Sequence, residues 1–570
     1  MEPGERGYFE TEIDGIEPGT AYRYRLDGRE LADPASRFQP EGVHGPSQVV
    51  AADFDWRDRG WRGLSLSDLV VYELHVGTYT ADGTFDALIA HLDELDELGV
   101  TAIELMPVGA FPGSRNWGYD GVFPFAVQAS YGGPVSLKRL VDECHGRGMG
   151  LVLDVVYNHL GPEGAVLDHF GPYFTDRYRT PWGRAVNFDG PGSDEVRRFF
   201  IENALQWLDE FHVDALRLDA VHGIVDTSAY PFIQELADTI HRRSRELDRS
   251  LLLIGESDLN DSRLVTEVGR GGLGLDAQWS DDFHHALHAL VTGERQGYYA
   301  DFGEVEHLAA ALREGFVYSG QYSAFRGRRF GSSSAGIPAE RLVVYAQNHD
   351  QVGNRFAGER LSSLLSFEQL KLVAGAVLLS PFVPLLFMGE EYGELAPFNY
   401  FISHSDPALI ESVRRGRAAE FAAFDWEGDS LDPHDEAAFF GSKLDHALKE
   451  KEPHRLLLDL YRELLRLRRD IPALRNSSKE ELEVTTDEDA RMLVLRRWTD
   501  DQEAFIVSNF GESTDERSVE RAVPAGDGWT TLLDSADERW GGPGQEMAAK
   551  RRGVETVRPH SFVLLVRDRR

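Results

Sequence analysis

The chain reads as an α/β protein on a (β/α)8 barrel of the TIM type, with a small inserted subdomain, a partial N-terminal β-sandwich and a C-terminal β-sandwich. Three observations predict this. Eight apolar, strand-like runs alternate with helix-like segments over about 400 residues. The two ends instead carry strand and turn signals without helices. One stretch after the third strand, rich in Gly, Pro and aromatic residues, is too long for a simple βα loop. An open, doubly wound sheet is the alternative, but no G-x-G-x-x-G follows the first strand.

Residues 1–55 form the first unit. Tyr8 to Ile13 and Ala21 to Leu26 alternate in polarity and are broken by Pro18-Gly19 and Asp27-Gly28, as in a β-hairpin of a carbohydrate-binding-like sandwich. The unit is short for a complete sandwich, so a truncated one is expected. Asp33 to Pro46 reads as a linker. Residues 56–475 carry the barrel. Its strands are expected at Leu69–Val76, Ala102–Val108, Gly150–Tyr157, Ala215–Val221, Leu251–Glu256, Leu275–Trp279, Leu342–Gln347 and Val383–Met388. Helices are expected at 84–98, 136–147, 194–211, 231–247, 281–291, 367–379 and 455–469, the first opened by Thr84 as N-cap and closed by Gly99. The insertion, 160–193, is read as a subdomain leaning over the barrel mouth. Residues 476–570 return to strands, at Met492–Trp498, Ala504–Asn509, Trp529–Leu533 and Ser561–Val566.

Composition narrows the function. A chain of 570 residues with 42% apolar content can bury a large core across two to four domains. No run approaches the roughly 18 apolar residues of a membrane helix. The acidic start, Met1 to Glu10, has neither a basic nor an apolar region of a signal peptide. A single cysteine, Cys144, excludes an internal disulfide and fits a reducing compartment, so the cytoplasm is the expected location. The formal charge of −37 repels nucleic acid and anionic membranes, whereas a neutral sugar polymer feels no such repulsion.

In a barrel, function collects at the C-terminal ends of the strands. Polar residues concentrate there: Asp154, Asn158 and His159; Arg217, Asp219 and His222; Glu256; Asn348, His349 and Asp350. Four strands ending in carboxylates on one rim crowd like charges more than helix capping would tolerate. Glycosyl transfer needs such crowding, with a nucleophile, an acid and acceptors for sugar hydroxyls. Arg217 and Asp219 are two apart on one strand and share a face, so the guanidinium keeps the carboxylate ionised. Glu256 follows an apolar run with no adjacent cation, which suits an acid of raised pKa. A retaining mechanism further requires the two carboxyl groups about 5–5.5 Å apart.

These four strings resemble the signature regions of the α-amylase family of glycoside hydrolases, over nearly the whole chain. More narrowly, Val71 to Thr78, Asn116 to Asp120, Glu256 to Asp261, Gln347 to Arg355 and Met388 to Gly393 resemble the malto-oligosyltrehalose trehalohydrolase branch. The resemblance implies Asp219 as nucleophile, Glu256 as acid/base and Asp350 as the acid that binds sugar hydroxyls and stabilises the transition state. It implies substrate contacts from His159, His349, Tyr119 and Trp117, with Arg217 orienting Asp219. It also implies hydrolysis of the α-1,4 bond next to the terminal trehalose of malto-oligosyltrehalose, in sequence with the synthase that makes this substrate. No cofactor and no essential metal are implied. Many α-amylases place a lysine and a histidine after the nucleophile strand; here His222 and Gly223 stand there, which alters the leaving-group subsites.

Blander roles compete at several positions. Asp154 reads as a structural acid, His75 as a satisfied core histidine and Cys144 as a buried small residue. Trp182, Trp279, Phe398 and Phe401 are packing residues or sugar platforms, and Glu390 and Glu391 line the mouth or cap a segment. A metal-dependent hydrolase lacks a closely spaced His pair or H-E-x-x-H. A glucan-branching enzyme or other α-glucanotransferase shares the same catalytic residues, and only the acceptor, water or a sugar hydroxyl, separates it. An inactive glucan-binding protein is the third alternative, although every catalytic position holds the required residue.

Overall fold

A computed structural model describes residues 1–422, 431–513, 528–544 and 557–569. Its centre is a closed barrel of eight parallel strands: β1 (Val71–Leu74), β2 (Ala102–Leu105), β3 (Gly150–Val155), β4 (Ala215–Leu218), β5 (Leu252–Gly255), β6 (Ala277–Trp279), β7 (Leu342–Tyr345) and β8 (Val383–Phe387). All eight lie inside the expected runs, and β8 pairs with β1 to close the cylinder. Parallel strands covered on both faces read as continuous apolar runs. Ala215, Val152, Ile254, Val71, Trp279 and Tyr345 fill the interior, while Leu216, Leu218, Leu151 and Leu153 pack outward against the helices.

The surrounding helices follow their apolar stripes. After β1 come α1 (Phe85–Ile89) and α2 (Leu92–Leu98); later units add α3 (Gly133–Gly146), α4 (Ser193–Asp209), α5 (Phe232–Leu247), α6 (Asp281–Thr292), α7 (Val305–Glu314), α8 (Phe367–Leu378), α9 (Pro407–Ala422) and α10 (His454–Asp470). Helix α10 buries Leu457, Leu460, Leu464 and Leu467 and ends on Arg468 and Arg469, which face the negative end of the helix dipole. Ser366 and Gln369 form a capping box on α8. Thr84 caps α1 as expected, but the segment expected as one helix to residue 98 breaks at Ala90 and His91. Gly99, at φ 100°, ends α2 in the left-handed conformation that glycine adopts without strain. Helix α6 lies where a helix was expected at 281–291, whereas α7 and α9 were not among the expected helices.

The inserted stretch holds an antiparallel pair, Phe174–Thr180 with Gly183–Val186. At the N-terminus the hairpin Tyr24–Leu26/Arg29–Leu31 turns on Asp27 (φ 49°) and Gly28 (φ 83°), the positive-φ pair its turn chemistry predicts. The C-terminal unit is a five-stranded antiparallel sheet ordered β9–β10–β11–β13–β12, with β9 Leu482–Asp487, β10 Met492–Trp498, β11 Gln502–Asn509, β12 Thr530–Asp534 and β13 Ser561–Asp568. A sandwich was expected here, and the described residues form this one sheet; 514–527 and 545–556 lie outside them. It docks on the barrel through polar ties. Lys371 on α8 donates to the carbonyls of Ser535 (2.6 Å) and Trp540 (3.2 Å), and Arg497 on β10 donates to those of Leu379 (2.9 Å) and Ser380 (3.0 Å). No helix among the described residues is long and apolar enough to cross a membrane.

Candidate active site

The side chains named from sequence at the strand ends converge on one guanidinium. In register, Asp154 on β3 stands beside Arg217 on β4, and Leu218 stands beside Gly255 on β5. Arg217 is fully buried and points inward over the Trp279 ring, 4.4 Å from its centroid. Its Nη1 donates to Asp154 Oδ2 (2.8 Å) and Asp219 Oδ1 (2.7 Å), and its Nη2 lies 3.7 Å from Glu256 Oε2. Asp219 and Glu256 thus flank a single cation.

Their environments separate them. Burial alone would raise the Asp219 carboxyl, but Arg217, His159 and the Asn158 amide, which donates to Oδ2 at 2.8 Å, hold it below the usual carboxylate range. Glu256 moves the other way. Burial pushes it well above its ordinary value, and Asp219, Asp281 and Asp350 add to the rise against the opposing pull of Arg217. One donor reaches Glu256 from the backbone: Ala220 N–H, 2.6 Å from Oε2. Ala220 holds φ 39° and ψ 55°, a left-handed conformation costly for a residue with a Cβ, by about 1–2 kcal/mol. The strain aims this N–H at Glu256 directly after Asp219.

A second wall is built around His349. Its ring Nδ1 pairs with Glu73 Oε1, its backbone N–H donates to Glu73 Oε2 (2.9 Å), and its Nε2 lies 2.8 Å from the Tyr119 hydroxyl and 3.4 Å from Asp350 Oδ2. Burial would lower this imidazole, but Asp350 and Glu73 raise it to about 9, so it is a cation at neutral pH. Tyr119 donates to Asp154 (2.6 Å) and stacks on His349 with centroids 5.2 Å apart. Asp350, with its side chain 41% exposed, opens toward solvent from the first turn after β7.

His159, buried at 8% exposure, has Nδ1 on the Asn158 amide oxygen and Nε2 3.0 Å from the Tyr119 carbonyl, and its ring stacks on Trp182 at 5.3 Å. His222 stands 3.9 Å from Asp258, and Arg326 donates to the same carboxylate at 3.1 Å. Trp117 sits one layer back. It is 3% exposed, donates to the Asn399 carbonyl (2.9 Å), stacks on Phe398 and lies perpendicular to His349 with centroids 5.7 Å apart, so it supports the cleft wall from behind. Gly223 has a steric reason: a Cβ there would meet the Trp182 ring at 2.9 Å. The glycine gives Trp182, 43% exposed, room beside His159 and His222.

The remaining candidates are internal. His75 is bonded on both ring nitrogens, to Thr78 and to Asn116 and Tyr131, and burial lowers it to about 3. Trp279, Phe398 and Phe401 are buried, as is Cys144, whose thiol burial pushes up. Glu390 and Glu391 do not line the mouth; both are buried and bonded by Tyr461 and Tyr72. Asp154 is buried and pushed up to about 7 by that burial. Sequence reasoning missed Glu73, Glu104, Asp281 and Arg326. Glu73 and Glu104 were detectable as acids at inward positions of otherwise apolar strands, paired in register across β1 and β2.

Three comparisons bear on this site. The family model described as "Alpha amylase, catalytic domain" matches residues 55–179. A malto-oligosyltrehalose trehalohydrolase from Saccharolobus solfataricus is 48% identical over 82% of this chain and 81% of its own, and one from a Rhizobium species is 44% identical over 99% and 92%. Among solved structures, a Salmonella typhimurium protein described as an alpha amylase superposes with TM-score 0.89 at 39% identity, covering 100% of this chain and 94% of that one.

Proposed function

The chain belongs to the malto-oligosyltrehalose trehalohydrolase family, within the α-amylase family of glycoside hydrolases, and from that premise we propose that it hydrolyses the α-1,4 bond joining a malto-oligosaccharide to its terminal trehalose, releasing trehalose. The observation that carries the reading is the split pair on Arg217: Asp219 held below the usual carboxylate range, Glu256 pushed above it, on adjacent strands of one barrel. A retaining glycosidase needs one ionised and one protonated carboxyl at neutral pH.

In this reading Asp219 attacks the anomeric carbon while Glu256 protonates the departing trehalose oxygen. Glu256, now ionised, then takes a proton from the water that attacks the glycosyl-enzyme, and Asp219 leaves unchanged. Arg217 keeps Asp219 ionised before it attacks and receives the carboxylate again when water releases the sugar. The cationic His349 and Tyr119 face the sugar whose bond is cut and bond its hydroxyls, while the Asp350 carboxylate accepts from those hydroxyls and counters the positive charge that develops at the ring. His159 closes the other side of that sugar, and Trp117 holds His349 in place. On the departing side His222, Asp258, Arg326 and Trp182 offer polar groups and one exposed ring, which suits a compact disaccharide of many hydroxyls. The substrate would be supplied by the synthase that forms malto-oligosyltrehalose, and the reaction takes place among side chains alone, without a cofactor. We assign residues 1–55, 56–475 (with the insertion 160–193) and 476–570 to the carbohydrate-binding-like, catalytic and C-terminal units.

Incubation with maltotriosyl trehalose and, separately, with maltopentaose, followed by product chromatography, tests this. Free trehalose from the first and little cleavage of the second is expected. Equal cleavage of both would remove the trehalose specificity, and longer or branched glucans as the main products would make the chain a transferase.

A further inference from the structure

A second cluster of chemistry-bearing side chains lies outside the cleft, in the helical layer beside the seam where β8 closes on β1. His91 precedes α2, Glu94 is three residues on, and His446 opens the short 3-10 turn His446–Glu450 that leads toward α10. Each offers a ligand atom, and these atoms lie within 4.8 Å of one another, the one such group of three among the described residues. The two imidazoles stack, with centroids 4.4 Å apart and planes 23° from parallel.

The hydrogen bonds specify which atoms are available. His446 Nε2 donates to the Tyr79 carbonyl at 2.6 Å, which leaves the lone pair on Nδ1. That Nδ1 is buried and has no hydrogen-bond partner. His91 Nδ1 is also buried without one, 3.5 Å from Glu94 Oε1. An imidazole whose far nitrogen is tied to a backbone carbonyl while the near one is bare has the arrangement of a metal-ligating histidine. Lys449 donates to Glu94 Oε2 at 2.7 Å and leaves Oε1 facing the histidines.

We propose that His91 Nδ1, His446 Nδ1 and Glu94 Oε1 form a structural site for a divalent transition-metal ion of the Zn²⁺ class. Two imidazoles and one carboxylate suit Zn²⁺ and disfavour Ca²⁺ and Mg²⁺, which take oxygen ligands. Water completes the coordination. The ion would tie the helix after the first strand to the segment after the last, across the seam that the ion pairs Lys449–Glu94 and Arg462–Glu97 already span. The site is independent of the cleft carboxylates and of the activity proposed for them.

The test is direct metal binding. The full-length protein is stripped with EDTA, dialysed and titrated with Zn²⁺ against a chromophoric competing chelator, and with Co²⁺ as a spectroscopic probe. One equivalent of Zn²⁺, Co²⁺ absorption of a tetrahedral nitrogen–oxygen site and a rise in Tm with added Zn²⁺ are expected. His446→Ala and His91→Asn should each weaken binding by at least about tenfold and abolish the Tm rise. No stoichiometric site in the wild type, or an affinity unchanged in both folded variants, would overturn the proposal.

Discussion

Replacing Glu73 with Gln isolates the electrostatics of the His349 wall. His349 sits at about 9 against an ordinary 6.5, a rise of about 2.5 pH units. At about 1.36 kcal/mol per unit, that is about 3.4 kcal/mol of preference for the cation inside the fold. Two anions produce it, Asp350 and Glu73, and Glu73 acts both by charge and by its bond to Nδ1. Assigning Glu73 about half, Glu73→Gln should lower His349 by roughly 1–2 pH units, worth about 1.4–2.7 kcal/mol. The sign follows from linkage. A group raised in the folded state gives stability that is fully present below its unfolded pKa and lost as pH rises through the folded value. The wild type should therefore lose stability between about 6.5 and about 9, and the variant's loss should finish at lower pH. Thermal unfolding of both proteins across that window reads the effect: their Tm difference should be largest below about pH 6.5 and shrink above about pH 9. The basic limb of kcat/KM should contract with it. Parallel Tm curves over the whole window would refute the account, since a merely structural role for Glu73 would lower Tm equally at every pH.

Other outcomes follow from the same geometry. Asp219→Asn and Glu256→Gln should each lower kcat for trehalose release by at least about 10²–10⁴-fold with unchanged circular dichroism, and a near-wild-type rate in either would remove the assignment. Arg217→Met deprives Asp219 of the cation that holds it down, so the acid limb of the kcat/KM profile should move to higher pH, while Arg217→Lys should move it less. An unmoved limb in both would detach Arg217 from the ionisation of Asp219. Gly223→His places a side chain where a Cβ already meets Trp182 at 2.9 Å, so KM for maltotriosyl trehalose should rise several-fold, and an unchanged KM would show that Trp182 has no part on the departing side.

Much of this protein was legible in one dimension because its strongest signals are local. The runs at Gly150–Tyr157 and Ala215–Val221 are apolar for the full length of a strand covered on both sides, and the structure puts β3 and β4 inside them. Placing Asp154, Asp219, Glu256 and Asp350 after such runs set them on one rim, because parallel strands in a closed barrel end on the same side. The period of two put Arg217 and Asp219 on one face, and their contact at 2.7 Å follows from it. Turn chemistry at Asp27-Gly28 and capping at Thr84 are equally local and were equally readable.

What the chain determined alone was therefore the class of barrel, the order of its units and the rim on which chemistry gathers. Tertiary structure decided the charge states and the partners. Glu73 and His349 are 276 positions apart, and no periodicity signals that one holds the other as a cation. Glu256 rises and Asp219 falls because burial acts on both while only one bonds the guanidinium directly, a distinction of about an ångström between 2.7 and 3.7 Å. Trp117, Glu390 and Glu391 sit in strings that point to the cleft, yet packing turned them inward. Coulomb energy and desolvation depend on distances through space, and those exist only once the cylinder has closed.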